Sequence, residues 1–111
     1  MILTTIAFWK RILQTQDKAE KIKLLSPYRK EILIISHTTL TRIFAWLENQ
    51  ERTAEAMWFA DMLANTRTIR LHITNPEELL EILKKKSTTS NSFENLEQEY
   101  LANGLQVAII K

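Results

Sequence analysis

Seven basic side chains between residues 10 and 30 form the set best suited to chemistry on a charged partner. They are Lys10, Arg11, Lys18, Lys21, Lys23, Arg29 and Lys30, with two acidic residues in the same stretch. Clustered lysine and arginine bind phosphate backbones because binding releases condensed counterions, and nearby aromatic side chains can stack on bases. Trp9 and Tyr28 adjoin this basic tract. The tract therefore predicts an anion or nucleic-acid contact, with an ordinary solvated helix surface as the alternative.

The remaining titratable candidates are His37, His72 and Asp61. A metal site would require the two histidines to converge with carboxylates, and their spacing does not indicate convergence. Asp61 lies in an otherwise apolar stretch, where a buried carboxylate would need a charged partner. A salt bridge to an arginine, or simple exposure, is the alternative for Asp61. The sequence predicts no catalytic motif, no metal site and no cofactor.

Two other kinds of binding site are a DNA recognition helix and a membrane-surface helix. Residues 38–42 have the hydroxyl-rich composition of many DNA recognition helices, but they lie inside one periodic segment rather than after a short turn. The apolar N-terminal segment, with Trp9 beside Lys10 and Arg11, could lie in a membrane interface. An apolar helix face of this size ordinarily packs against the protein's own core, so we do not expect membrane binding.

The composition is that of an ordinary globular protein. The chain has 111 residues, of which 45% are hydrophobic and 25% charged, and we expect one domain spanning residues 1–111 with a single core. The absence of cysteine excludes disulfides, thiolate nucleophiles and cysteine-based metal sites. The apolar start precedes its positive charges, unlike a secretory leader, and we expect a cytoplasmic protein.

Helical periodicity dominates the first 65 residues. Apolar spacing predicts helices over residues 2–14, 17–25, 27–49 and 51–65, with Ser26 and Pro27 as the start of the third. The run from Ile32 to Ile35 is locally β-prone, so a short buried strand is the alternative there. The later periodicity of the segment favours the helix.

The remainder of the chain combines strands and helices. Alternating residues predict a strand over 68–73, and the sequence Asn-Pro-Glu-Glu at 75–78 predicts the start of a helix that ends at three lysines. A polar loop over 87–92, a helix ending near Gly104 and a terminal strand over 105–110 complete the pattern. The predicted fold class is therefore α+β and mainly helical. Its N-terminal helices precede a strand–helix–helix–strand unit with a small two-stranded sheet.

The predicted helix over 51–65 is apolar all round, which indicates burial on most sides or contact with a partner. We expect a protein interface at Met57, Trp58, Phe59 and Met62, formed by a homodimer or with another protein. The leading functional hypothesis is a small non-enzymatic regulatory or assembly protein that acts by protein–protein interaction. The alternative is a nucleic-acid-binding protein that uses the basic tract.

Overall fold

The computed structural model describes residues 1–88 and 90–110, and in this part of the chain each of the first three strands is followed by two α-helices. The strands are β1 (Ile2–Thr4), β2 (Leu33–Ser36), β3 (Ile69–His72) and β4 (Ala108–Ile110). The helices are α1 (Ile6–Gln14), α2 (Lys18–Leu25), α3 (His37–Asn49), α4 (Thr53–Asn65), α5 (Pro76–Lys86) and α6 (Phe93–Leu105). Residues Ser26–Tyr28 form a short 3-10 turn between α2 and β2.

The strands form one four-stranded sheet in the order β3-β2-β1-β4, and every neighbouring pair is parallel. Leu3 in β1 lies opposite Ile34 in β2 and Ile109 in β4. Parallel neighbours cannot be joined by a hairpin, so each connection crosses over through helices. The fold class is α/β.

The predicted α+β fold with a two-stranded sheet is therefore wrong. Strands were correctly predicted near residues 68–73 and 105–110, but β3 and β4 do not pair with each other, because β2 and β1 lie between them. Residues 2–4 form β1 rather than the start of a helix, and residues 33–36 form β2 within the predicted 27–49 helix. Pro27 lies in the 3-10 turn rather than at the start of a long helix, and α3 begins after Ser36.

Burial on both faces explains why β2 was missed. All four of its residues are buried: Leu33 and Ile35 pack in the cluster that includes α1 and α3, and Ile34 packs in the cluster that includes α6. A strand covered on both faces is continuously apolar, so it lacks the alternation that distinguishes a strand from a buried helical turn.

The larger core cluster lies between the sheet and the helices α1, α3 and α4. Trp9 and Phe59 are fully buried there, with ring centroids 5.3 Å apart in an edge-to-face arrangement. On the opposite face, Leu3 and Ile34 pack against Leu101 of α6. The sheet is thus the middle of three layers.

Helix α5 begins as predicted, and its capping box is complete. The backbone N–H of Glu78 donates to the Asn75 side chain at 2.8 Å, and the backbone N–H of Asn75 donates to the Glu78 carboxylate at 3.1 Å. The end of α6 differs from the prediction, because Gly104 lies within the helix. Gln106 adopts the left-handed conformation instead, with φ 55°.

Candidate functional site

An open groove begins at the first turn of α1, which directly follows the carboxyl end of β1, and at the first turn of α6, and it continues between α1 and α3. We call it the carboxyl-edge groove. Its lining residues are Ile6, Ala7, Lys10, Arg42, Ala45, Trp46, Asn49 and Glu94. Open α/β sheets bind ligands outside the carboxyl ends of strands, where successive connections turn to opposite sides. In this sheet that point is β1, which lies between β2 and β4.

An ion pair crosses the mouth of the groove. Nε of Arg42 lies 2.7 Å from Oε1 of Glu94, with the two side chains 58% and 28% exposed. Glu94 lies in the first turn of α6, where the positive end of the helix dipole favours a carboxylate. Local caps set both helices in place, since the side chains of Ser36 and Ser92 accept from the backbones of α3 and α6. The pair thus places a guanidinium and a carboxylate side by side at the sheet edge.

A second contact joins the same two helices one turn deeper. Oγ1 of Thr38 donates to Oε2 of Glu97 at 2.8 Å, and Oγ1 of Thr74 lies 3.3 Å from the same oxygen. Glu97 is 2% exposed. Thr38 and Arg42 are at positions i and i+4 of α3. Glu94 and Glu97 are at positions i and i+3 of α6, so both contacts lie on the surfaces with which the two helices face each other. Together they hold the first turn of α6 against α3.

Aromatic and basic side chains line the part of the groove between α1 and α3. Nζ of Lys10 lies 5.3 Å from the centroid of the Trp46 ring, within range of a cation–π interaction. The Arg52 guanidinium lies 5.6 Å from the same ring. The indole itself is half-buried and packs partly against the core. The groove therefore combines positive charge with an aromatic surface.

Thr4 and Thr5 place two hydroxyl groups at the end of β1, and both take part in hydrogen bonds within the protein. Nε1 of Trp9 donates to Oγ1 of Thr4 at 2.7 Å, and that hydroxyl donates to the carbonyl oxygen of Ile34, also at 2.7 Å. Thr5 caps α1 by accepting from the backbone N–H of Phe8. These threonines position elements around the groove.

The donor set does not fit a divalent metal ion. Nucleases that use metals hold them with clustered carboxylates, and residues 1–88 and 90–110 contain no group of three or more His, Cys, Asp or Glu side chains that could hold an ion. Glu94 is paired with a guanidinium, and Glu97 is buried beneath two threonine hydroxyls. The positive charge beside Glu94 is the guanidinium of Arg42 rather than a metal ion.

The structure separates the basic residues of the predicted tract. Lys10 lies in the carboxyl-edge groove, whereas Lys21 is buried and pairs with Glu55. The other members are exposed, and they lie on α1, on α2 and after the 3-10 turn: Arg11, Lys18, Lys23, Arg29 and Lys30. Only Lys10 of the seven contributes to the groove, so the basic tract does not form one surface there.

Residues of the predicted protein interface on α4 have different surroundings. Met57 is 64% exposed, Phe59 is fully buried in the core, and Met62 packs partly against that core. Trp58 is half-buried beneath the ammonium group of Lys21. Phe59 has no surface to offer a partner. An interface at this helix stays a prediction for Met57 and the exposed parts of Trp58 and Met62.

The three titratable candidates from the sequence lie outside the groove. Asp61 is exposed, so the buried carboxylate of this fold is Glu97 instead. His37 is exposed at the start of α3, and His72 ends β3 with Nε2 3.3 Å from Oε2 of Glu78. Residues 38–42 follow a strand, which excludes a helix-turn-helix at that place.

The sequence provided no local signal for Arg42, Trp46 and Glu94 as one site. Trp46 belongs to the apolar stripe of α3, and Arg42 lies on its polar side. Glu94 lies on α6, far along the chain, and reaches Arg42 only because β4 returns beside β1. Their proximity is a consequence of strand order.

A four-stranded parallel sheet with helices packed on both faces defines an α/β class of fold. The chain superposes on VapC20 of Mycobacterium tuberculosis, described as a sarcin–ricin-loop-cleaving toxin, with a TM-score of 0.70. The superposition covers 96% of this chain and 85% of VapC20, at 15% sequence identity. The chain thus shares the fold of VapC20. No protein-family model and no curated protein matches the sequence.

This comparison overturns the hypothesis of a non-enzymatic regulatory or assembly protein. That hypothesis rested on the apolar segment 51–65 and the lack of a catalytic motif, whereas the chain shares its fold with a protein described as a sarcin–ricin-loop-cleaving toxin. The prediction that the protein is not an enzyme was part of that hypothesis and is wrong with it. Among the described residues, no helix has the length and apolar character needed to cross a membrane.

Proposed function

We propose that this protein is an enzyme that cleaves RNA, and that the carboxyl-edge groove holds the RNA. The observation that carries the proposal is the placement of Arg42, Lys10 and Trp46 in one groove at the ligand-binding edge of this fold. The likeness to a sarcin–ricin-loop-cleaving toxin supports RNA as the substrate class.

The groove supplies the contacts that RNA binding requires. Arg42 is 58% exposed, so its guanidinium can donate to phosphate oxygens while Nε stays on Glu94. Lys10 adds a second positive charge beside the backbone path. The indole of Trp46 offers a surface on which an unpaired base can stack. These contacts favour a single-stranded loop over a regular duplex, because stacking requires a splayed base.

A labelled RNA hairpin with the sarcin–ricin loop sequence tests the proposal, with an unrelated hairpin and total RNA in parallel. We expect site-specific cleavage of at least one RNA. Arg42→Gln and Lys10→Gln should each weaken binding by about tenfold, because each loses a charge-assisted contact to phosphate.

Lys84→Gln is the matched control, since Lys84 is 75% exposed and pairs with Glu81 on α5, outside the groove. Binding by this variant should stay within about twofold of the unaltered protein. Failure to cleave any of the RNAs would contradict the proposal, as would equal losses of binding in the control.

We also propose that the protein works in the cytoplasm, where RNA is available, and that it binds another protein or a second copy of itself. The exposed part of α4 around Met57 supports an interface, since the side chain is 64% exposed. Size-exclusion chromatography with light scattering tests self-association. We expect a mass above the 13.0 kDa of one chain, and a mass of one chain at all concentrations would contradict the homodimer.

A further inference from the structure

We infer that the carboxyl-edge groove cleaves RNA without a divalent cation, by attack of the RNA's own 2′-hydroxyl on the adjacent phosphorus. In this reaction Glu94 accepts the proton and Arg42 neutralises the phosphate. The inference depends on the proposed function, because it requires RNA in the groove. It deepens that function by naming the reaction and its two catalytic residues.

Arg42 provides the positive charge that a metal ion would otherwise supply. Its Nε is held 2.7 Å from Oε1 of Glu94, which orients the guanidinium at the mouth of the groove. The guanidinium carries five N–H donors in a fixed plane, so donors remain for two phosphate oxygens. Charge that develops on the phosphate during attack is stabilised by such preoriented donors.

Glu94 has the position expected of a proton acceptor. One carboxylate oxygen accepts from Arg42, and the side chain, which lines the groove, is 28% exposed. A sugar hydroxyl next to a phosphate bound by Arg42 would therefore lie beside this carboxylate. A positioned carboxylate contributes to proton transfer by general base catalysis.

Glu97 is a positioning residue in this arrangement. It is 2% exposed, and its Oε2 atom accepts from Thr38 and lies 3.3 Å from Oγ1 of Thr74. Substrate cannot reach a carboxylate buried to this degree. Its contacts fix the first turn of α6, and therefore Glu94, against α3.

The step is balanced without any further reagent except water. The 2′-hydroxyl proton passes to Glu94, the 2′-oxygen forms a bond to phosphorus, and the bond from phosphorus to the 5′-oxygen breaks. Water protonates the departing 5′-oxygen, and the proton on Glu94 returns to solvent. The products are a 2′,3′-cyclic phosphate and a 5′-hydroxyl, and no atom is oxidised or reduced.

The test measures cleavage of the labelled hairpin in excess EDTA and identifies the new RNA ends. We expect unchanged cleavage in EDTA, a 2′,3′-cyclic phosphate and a 5′-hydroxyl. A single 2′-deoxy substitution at the cleaved nucleotide should abolish the reaction. Glu94→Gln should lower the cleavage rate by about a hundredfold, while RNA affinity stays within about twofold.

Glu81→Gln is the matched control, because Glu81 also pairs with a cation on a helix surface but lies outside the groove. Circular dichroism and urea unfolding of both variants separate a catalytic effect from a loss of folding. Cleavage that stops in EDTA, returns with magnesium or manganese and leaves a 5′-phosphate would overturn this inference and leave the proposed function intact. Binding without cleavage under every condition would overturn both.

Discussion

Nζ of Lys21 lies 2.5 Å from Oε2 of Glu55, and the two side chains are only 2% and 12% exposed. The ammonium group also lies 4.9 Å from the centroid of the Trp58 ring. This buried ion pair joins α2 to α4 at a distance from the carboxyl-edge groove. Lys21, a member of the predicted basic tract, is therefore held in the interior between these two helices.

Lys21→Met should destabilise the protein by about 3 kcal/mol, because it removes the nearer cation from the largely buried Glu55 carboxylate and leaves it with the Arg52 guanidinium 3.8 Å away. Urea unfolding followed by tryptophan fluorescence measures the change. Lys18→Met, at an exposed site on the same helix, is the control and should change stability by less than about 0.5 kcal/mol. The double variant Lys21→Met, Glu55→Leu should recover most of the loss, and failure of the single variant to lose stability would contradict the structural role.

Thr4→Val should lower the free energy of unfolding by about 2 kcal/mol. In this buried site the indole N–H of Trp9 loses its acceptor and the carbonyl of Ile34 loses a donor. Thermal unfolding by calorimetry measures the effect. Thr41→Val is the control, since its hydroxyl bonds an exposed helix carbonyl, and the change there should be small. Equal effects in the two variants would argue against a special role for the end of β1.

Asn75→Ala should lower stability by about 1 kcal/mol through loss of the capping box at the start of α5. Asn75→Asp should retain most of the stability of the unaltered protein, because an aspartate side chain can also accept from the backbone N–H of Glu78. Chemical unfolding of the two variants side by side provides the measurement. An alanine variant as stable as the unaltered chain would show that the cap does not contribute.

Arg42→Gln should reduce the salt dependence of RNA binding as well as its affinity. Loss of one phosphate contact lowers the slope of log affinity against log salt by about 1. Filter binding over a range of potassium chloride concentrations measures the slope. An unchanged slope would place Arg42 outside the phosphate path.

The two strands predicted from sequence and those that were missed differ in exposure. β3 carries Arg70 and Leu71, both exposed, between the half-buried Ile69 and His72, and the alternation of polar and apolar residues is visible in the sequence. β2 has no exposed residue, so Ile34 and Ile35 look alike although they face opposite layers. Helix α5 was predictable because its start depends on Asn75 and Glu78, which are close in sequence.

The amino-acid sequence by itself determined the features that depend on near neighbours: the start of α5, the strand at residues 69–72 and the absence of cysteine chemistry. Tertiary structure alone decided the strand order, the burial of Lys21 and Glu97, and the meeting of Arg42 with Glu94. Those features depend on packing between segments distant in the chain. Local periodicity carries no information about which distant segment a buried strand will pair with, because either face of a fully covered strand is equally apolar.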